Sequence, residues 1–169
     1  MLLLLLVLGA AALLFIVEPP TRVTGPESVR GPRVLRARAA AVRSIELRAG
    51  ERHVVAVRAP GGWRIDGRPT SAGAVEALDA LVDTLTRLHA VDAFRPERGA
   101  HLGLDPPAAT ITVRTARREF ALKLGAPNAS GGSYYAERVG HPRVFLVGAG
   151  LLSTIDRVFY QTGQRDLTQ

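Results

Sequence analysis

Cysteine is absent from the 169 residues, which removes disulfides, thiol catalysis and thiolate-ligated zinc. Lysine is almost absent: Lys123 is the only one and falls inside a strand pattern, so no glycine–lysine phosphate loop can be built. The four histidines, His53, His89, His101 and His141, are scattered without metal-ligand spacing. No serine has the context of a nucleophile elbow. No residue can therefore be assigned a catalytic, cofactor-binding or metal-binding role, and a non-catalytic protein is the expectation. Acidic side chains are scarce only near the N-terminus. Between Glu18 and Arg68 stand eleven arginines against five acids; from Pro69 onward stand eleven basic against ten acidic residues. The formal charge of +7 is therefore concentrated in the part of the chain up to Arg68. With the part from Pro69 onward nearly neutral and only 5% aromatic residues in the chain, the basic, aromatic-studded face that nucleic acid binding uses is lacking, so no nucleic acid partner is expected.

Polar side chains are missing from Leu2 to Val17, a run of 16 residues. As a helix it spans ~24 Å, just short of a ~30 Å hydrocarbon core. It is apolar all round and has no polar face to meet water, which argues against a buried core helix. A basic segment before the run and a small-residue cleavage site after it, the marks of a cleaved signal peptide, are missing. The expectation is a single-pass membrane anchor over residues 1–17. The segment 18–41 carries Pro19, Pro20, Pro26 and Pro32 with five arginines from Arg22 to Arg38, and reads as an extended linker whose cations can meet anionic headgroups. Arginines on that side of the anchor would place the following domain in the cytoplasm.

Residues 42–169 read as one domain. Ile45 and Leu47 alternate on a first strand. Gly50-Glu51 turns the chain into His53–Val57, and Pro60-Gly61-Gly62 turns it again into Trp63–Asp66, which makes a three-stranded meander. Thr70 or Ser71 caps a helix reaching about Ala90, with Val75, Leu78, Leu81, Val82, Leu85 and Leu88 along one stripe. Glu76, Asp79, Asp83 and Arg87 lie on the opposite, water-facing side. Ile111 and Val113, then Phe120, Leu122 and Leu124, alternate around a turn at Ala116-Arg117. A second hairpin, 133–147, turns at Gly140–Pro142. Leu151, Leu152, Ile155, Val158 and Phe159 mark a short C-terminal helix. The expected class is α+β: an antiparallel sheet built of a meander and hairpins, one long amphipathic helix and a short C-terminal helix, preceded by an N-terminal transmembrane helix.

Two motifs stand out within this pattern. Gly148-Ala149-Gly150 joins a strand to a helix, as in a dinucleotide-binding turn, but Ser153 stands where the third glycine belongs, so a plain connection is the reading. The stretch His101-Leu102-Gly103-Leu104-Asp105-Pro106-Pro107 joins the irregular region to the clearest hairpin. Gly103 permits positive φ. Asp105 and Pro106 each precede a proline and are disfavoured from helical geometry, so Asp105–Pro107 is expected to run extended. This rigid loop and the pair Tyr134-Tyr135, which puts one ring on each face of a strand, form the expected interaction surface: Gly103, Leu104, Asp105, Pro106, Pro107, Tyr134 and Tyr135.

Several features recur together. They are the hydrophobic N-terminus, Trp63 ahead of a helix, Gly103–Pro107 leading into Ala109–Val113, Leu124-Gly125, and Gly131 before Tyr134-Tyr135-Ala136. In this combination the chain resembles domain-of-unknown-function family 4340 over roughly residues 42–169. It departs in having Leu102 where an aromatic often precedes the glycine, and in carrying one copy of a unit that many members repeat. The resemblance implies a protein held in the inner (cytoplasmic) membrane, with its domain facing the periplasm. It also implies envelope partners such as ABC-type transport proteins of the gliding-motility kind, and carries no catalytic residues over. The leading reading is a membrane-tethered interaction domain. The alternative is an envelope enzyme or small-ligand binder using Asp105, Tyr134 or Tyr135.

Overall fold

The computed structural model of the chain describes residues 31–163. The apolar run Leu2–Val17, expected to form a transmembrane helix, lies outside the described residues. Among the described residues no helix is long and apolar enough to cross a membrane.

The alternating segments form strands. These are β1 (Val42–Ala49), β2 (Arg52–Ala59), β3 (Gly62–Ile65), β4 (Arg68–Pro69), β5 (Asp92–Phe94), β6 (Ala109–Thr115), β7 (Glu119–Pro127), β8 (Ser133–Arg138) and β9 (Val144–Gly148). The helices are α1 (Ala72–Arg87) and α2 (Gly150–Gln161). All nine strands join one antiparallel sheet in the order β4-β3-β2-β1-β6-β7-β8-β9-β5. The edges are a two-residue strand containing Pro69 and a three-residue strand, both too short to template pairing with another chain. The α+β class and the order of strands and helices follow the sequence expectation. β4 and β5 do not: neither is long enough to show a period.

Directly paired residues share a face of the sheet. Ile45 opposes Ala56 and Val113, Leu47 opposes Val54 and Ile111, and Leu124 opposes both Ala109 and Ala136. All of these are buried, and both helices lie over them. Ser71 caps α1 by accepting from the Ala74 N–H at 3.3 Å. α1 buries Leu78, Leu81, Val82 and Leu85; α2 buries Leu151, Ile155, Val158 and Phe159. Polar contacts lock the helices to this face. Asp79 accepts from Trp63 Nε1 at 2.9 Å and from Arg58 at 2.7 Å, while the Arg58 guanidinium stands over the Trp63 ring, 4.6 Å from its centroid. Asp79, read from spacing as a solvated residue, is thus a tie between helix and sheet.

The helix ends at Arg87, short of the expected Ala90. Val34 N donates to Leu88 O at 3.0 Å and Ala90 N to Pro32 O at 2.9 Å, so this stretch pairs with an N-terminal strap instead of continuing the helix. Val34 and Leu35 are 0% and 1% exposed. The ordered core thus reaches into the segment read as linker: two apolar side chains between the arginines close one end of the helix-covered face.

Candidate functional site

Residues 95–108 run between β5 and β6 without helix or strand. Two backbone bonds anchor their end to β7: Ala126 N donates to Leu102 O and Ala108 N donates to Leu124 O, both at 2.8 Å. The anchors sit two residues apart on β7, so the chain between Leu102 and Ala108 must leave and return. Leu104 bridges to Pro107, closing a turn in which the Asp105–Pro106 peptide is cis. The expected extended path over Asp105–Pro107 is therefore corrected to a reversal. Gly103 has φ +65°, and a Cβ there would stand 2.7 Å from Ala126 N. On the other side of the contact, a Cβ at Gly125 would strike the Leu102 carbonyl oxygen. The β7–β8 register shifts between Leu124 and Pro127, beside the point where the Ala126 N–H bonds the loop.

The loop forms one wall of a groove of about 660 Å³. Gly103, Leu104 and Asp105 line it, Glu137 and Val144 lie at its base, and His141–Arg143 stand opposite. Glu137 pairs with Val144 and Tyr135 with Leu146, which places all four on the face that the helices leave open. Tyr135 meets Phe94 edge to face at 6.2 Å between ring centroids. Tyr134 sits on the other face, packed against the core. The structure thus brings Gly103–Asp105 and Tyr135 to one side of the sheet and Tyr134 to the other; Pro106 and Pro107 shape the turn without lining the groove.

Further along the open face is a charge cluster that the sequence reading missed. Glu46 Oε1 accepts from Arg48 at 2.7 Å and lies 3.2 Å from His53 Nε2, while Glu46 Oε2 accepts from Arg114 at 3.2 Å. The hydrogen bond from Arg48, with those of Arg114 and His53, holds the Glu46 carboxyl below its ordinary value of 4.5 against a smaller opposing push from burial. Glu119, 2.6 Å from Arg114 Nε, raises that guanidinium's pKa. Glu46, Arg48 and His53 are near neighbours on the β1–β2 hairpin, whereas Arg114 is brought to them by the β1–β6 register. Among the described residues no three His, Asp or Glu side chains converge to hold a metal ion.

These features define an α+β domain with one face of its sheet under a helix pair and a loop-walled groove on the other. The chain belongs to the family described as Domain of unknown function (DUF4340), which matches residues 63–160. No curated protein and no solved structure matches the chain.

Proposed function

We propose that this domain is a non-catalytic interaction module, tethered to a membrane by Leu2–Val17, that docks a protein of an ABC-type, gliding-motility-like envelope complex from the periplasmic side. The observation that carries this reading is the one-sided cover of the sheet. Tyr135, Phe94 and Leu146 stand on the uncovered face beside the groove walled by Gly103–Asp105. Aromatic side chains and pre-ordered loops lose little entropy on binding and serve well as contact anchors. A tether raises the effective concentration of such a surface for a partner in the same membrane. The test is photo-crosslinking in cells from positions 104 and 135 of the full chain, with position 51, in the β1–β2 turn, as the comparison. Capture of a transport-complex subunit at 104 and 135 but not at 51 is expected. Equal capture at all three positions overturns the reading.

A second reading draws on the same groove. Glu97, His101, Asp105, Glu137, His141 and Arg143 all line it, a gathering of titratable groups suited to a small polar ligand. A small molecule co-purifying with the chain, and lost on Glu137→Gln, would favour ligand binding over docking.

A further inference from the structure

A second groove, also about 660 Å³, opens on the helix-covered face where cover by helices and strap runs out. We propose that it binds a small phosphate-bearing anion.

Three separate elements bring cations to its rim. The strap contributes Arg33 and Arg36, held outward because Val34 and Leu35 between them are buried. The β6–β7 turn contributes Arg118, whose backbone is tied on both sides to Thr115, at 2.8 Å and 3.0 Å. β8 and the β8–β9 turn contribute Arg138 and Arg143. Arg138 donates to Val34 O at 3.1 Å, which fixes the strap and keeps its own guanidinium in the groove. The base is apolar, with Phe120 and the buried Phe145.

The charge balance points to an anionic occupant. Arg33, Arg36, Arg118 and Arg143 make no ion pair among the described residues. Among the described residues Glu119 is the only acid lining the groove, and its carboxylate is engaged by Arg114 at 2.6 Å. Some arginines elsewhere have acidic partners, Arg52 with Asp156, Arg58 with Asp79 and Arg157 with Glu76, while others, such as Arg68, Arg95 and Arg98, make no ion pair among the described residues but do not line the groove. What sets the groove apart is convergence: five arginines from separate parts of the chain line one cavity. A solvated arginine-rich turn explains two neighbouring cations in the chain. It does not explain five brought from the strap, from residue 118 and from residues 138–143 to a common rim. Planar guanidinium forks match phosphate oxygens two at a time, and an apolar base strengthens such bonds by excluding water. The volume suits a single small ligand or headgroup rather than a nucleic acid duplex.

The phosphate can belong to a lipid headgroup or to a soluble phosphoester, and both sources are open to test. The full chain in an uncharged detergent is titrated calorimetrically with short-chain dihexanoyl phosphatidylglycerol and, separately, with inorganic pyrophosphate. Saturable binding of at least one probe is expected. Arg36→Gln with Arg118→Gln, two residues that do not line the first groove, should weaken it about tenfold, whereas removing the same charge elsewhere, by Arg68→Gln with Arg98→Gln, should change it less than about twofold. Binding of the lipid alone identifies a headgroup site, binding of pyrophosphate alone a soluble phosphoester site, and binding of both a site that reads the phosphate itself. A milder pair, Arg36→Lys with Arg118→Lys, keeps the charge and loses the fork; an intermediate loss is expected, and it guards against misreading a folding defect. No saturable binding of either probe, or equal weakening by the groove pair and the control pair, overturns the proposal. Neither readout depends on the docking reading, so the two can fail separately.

Discussion

Two side-chain positions illustrate how a single residue constrains this domain. Gly103 sits at positive φ with the Ala126 amide against the place where its Cβ would be. Gly103→Val should destabilise the domain by at least ~2 kcal/mol, from backbone strain and from the lost loop anchor, and should do so more than Asp105→Ala at the exposed turn. Thermal melts of both variants check the order; a Gly103→Val variant melting with the wild type would refute it. Glu46 makes a pH-dependent contribution. Its folded pKa is lowered by Arg48, Arg114 and His53, so the stability it lends is present above its unfolded value and is lost as pH falls through the folded one. Glu46→Gln should therefore lower the melting temperature at pH 7 and flatten its decline in acid, below the ordinary carboxylate value of 4.5. Melts from pH 7 down to about 3 give the comparison, since that span covers carboxylate titration.

At the scale of elements, the strap shows how a short segment closes a core. Val34 and Leu35 are buried and two backbone bonds pair the strap with the chain after α1. Burying two such side chains is worth ~3–6 kcal/mol. A chain starting at Val42 should lose most of this relative to one starting at Gly31, and urea midpoints measure the difference. The shortened chain should also lose any phosphate binding, because Arg33 and Arg36 leave with the strap. The helix pair is tied more locally: Asp79 serves both Trp63 and Arg58, so Asp79→Ala leaves a part-buried indole N–H without its partner and should cost ~1–3 kcal/mol.

The whole molecule depends on pairing between distant parts of the chain. The family match begins at Trp63 and ends at Tyr160, yet β1 and β2, which precede it, stand in the sheet between β3 and β6. A fragment 63–160 would split the sheet and leave the edges of β3 and β6 unpaired. It should show no cooperative urea transition, where the chain from Gly31 shows one. At the same scale, Leu2–Val17 predicts that the full chain sediments with membranes while the chain from Gly31 stays in the soluble fraction; full-length protein with an intact N-terminus found in the soluble fraction would overturn the tether.

Local order is legible in the chain because it has a period. Ile45 and Leu47, Ile111 and Val113, and Leu122 and Leu124 alternate as half-buried strands do. Leu78, Leu81, Val82 and Leu85 recur as one face of a helix does, and Gly50, Gly61 and Gly140 mark turns that the structure contains. The loop Gly103–Pro107 could be singled out from its glycine and prolines, though not its path, because the reversal is imposed by two anchors on β7. Partners across the sheet carry no local signal. That β1 lies beside β6, that Arg114 joins Arg48 and His53 on Glu46, that Tyr135 stands on the open face while Tyr134 packs against the core, and that the arginines of the strap, of residue 118 and of residues 138–143 share a rim all follow from long-range register. Register is set by the joint burial of one apolar face, a property of the assembled sheet and of no single segment.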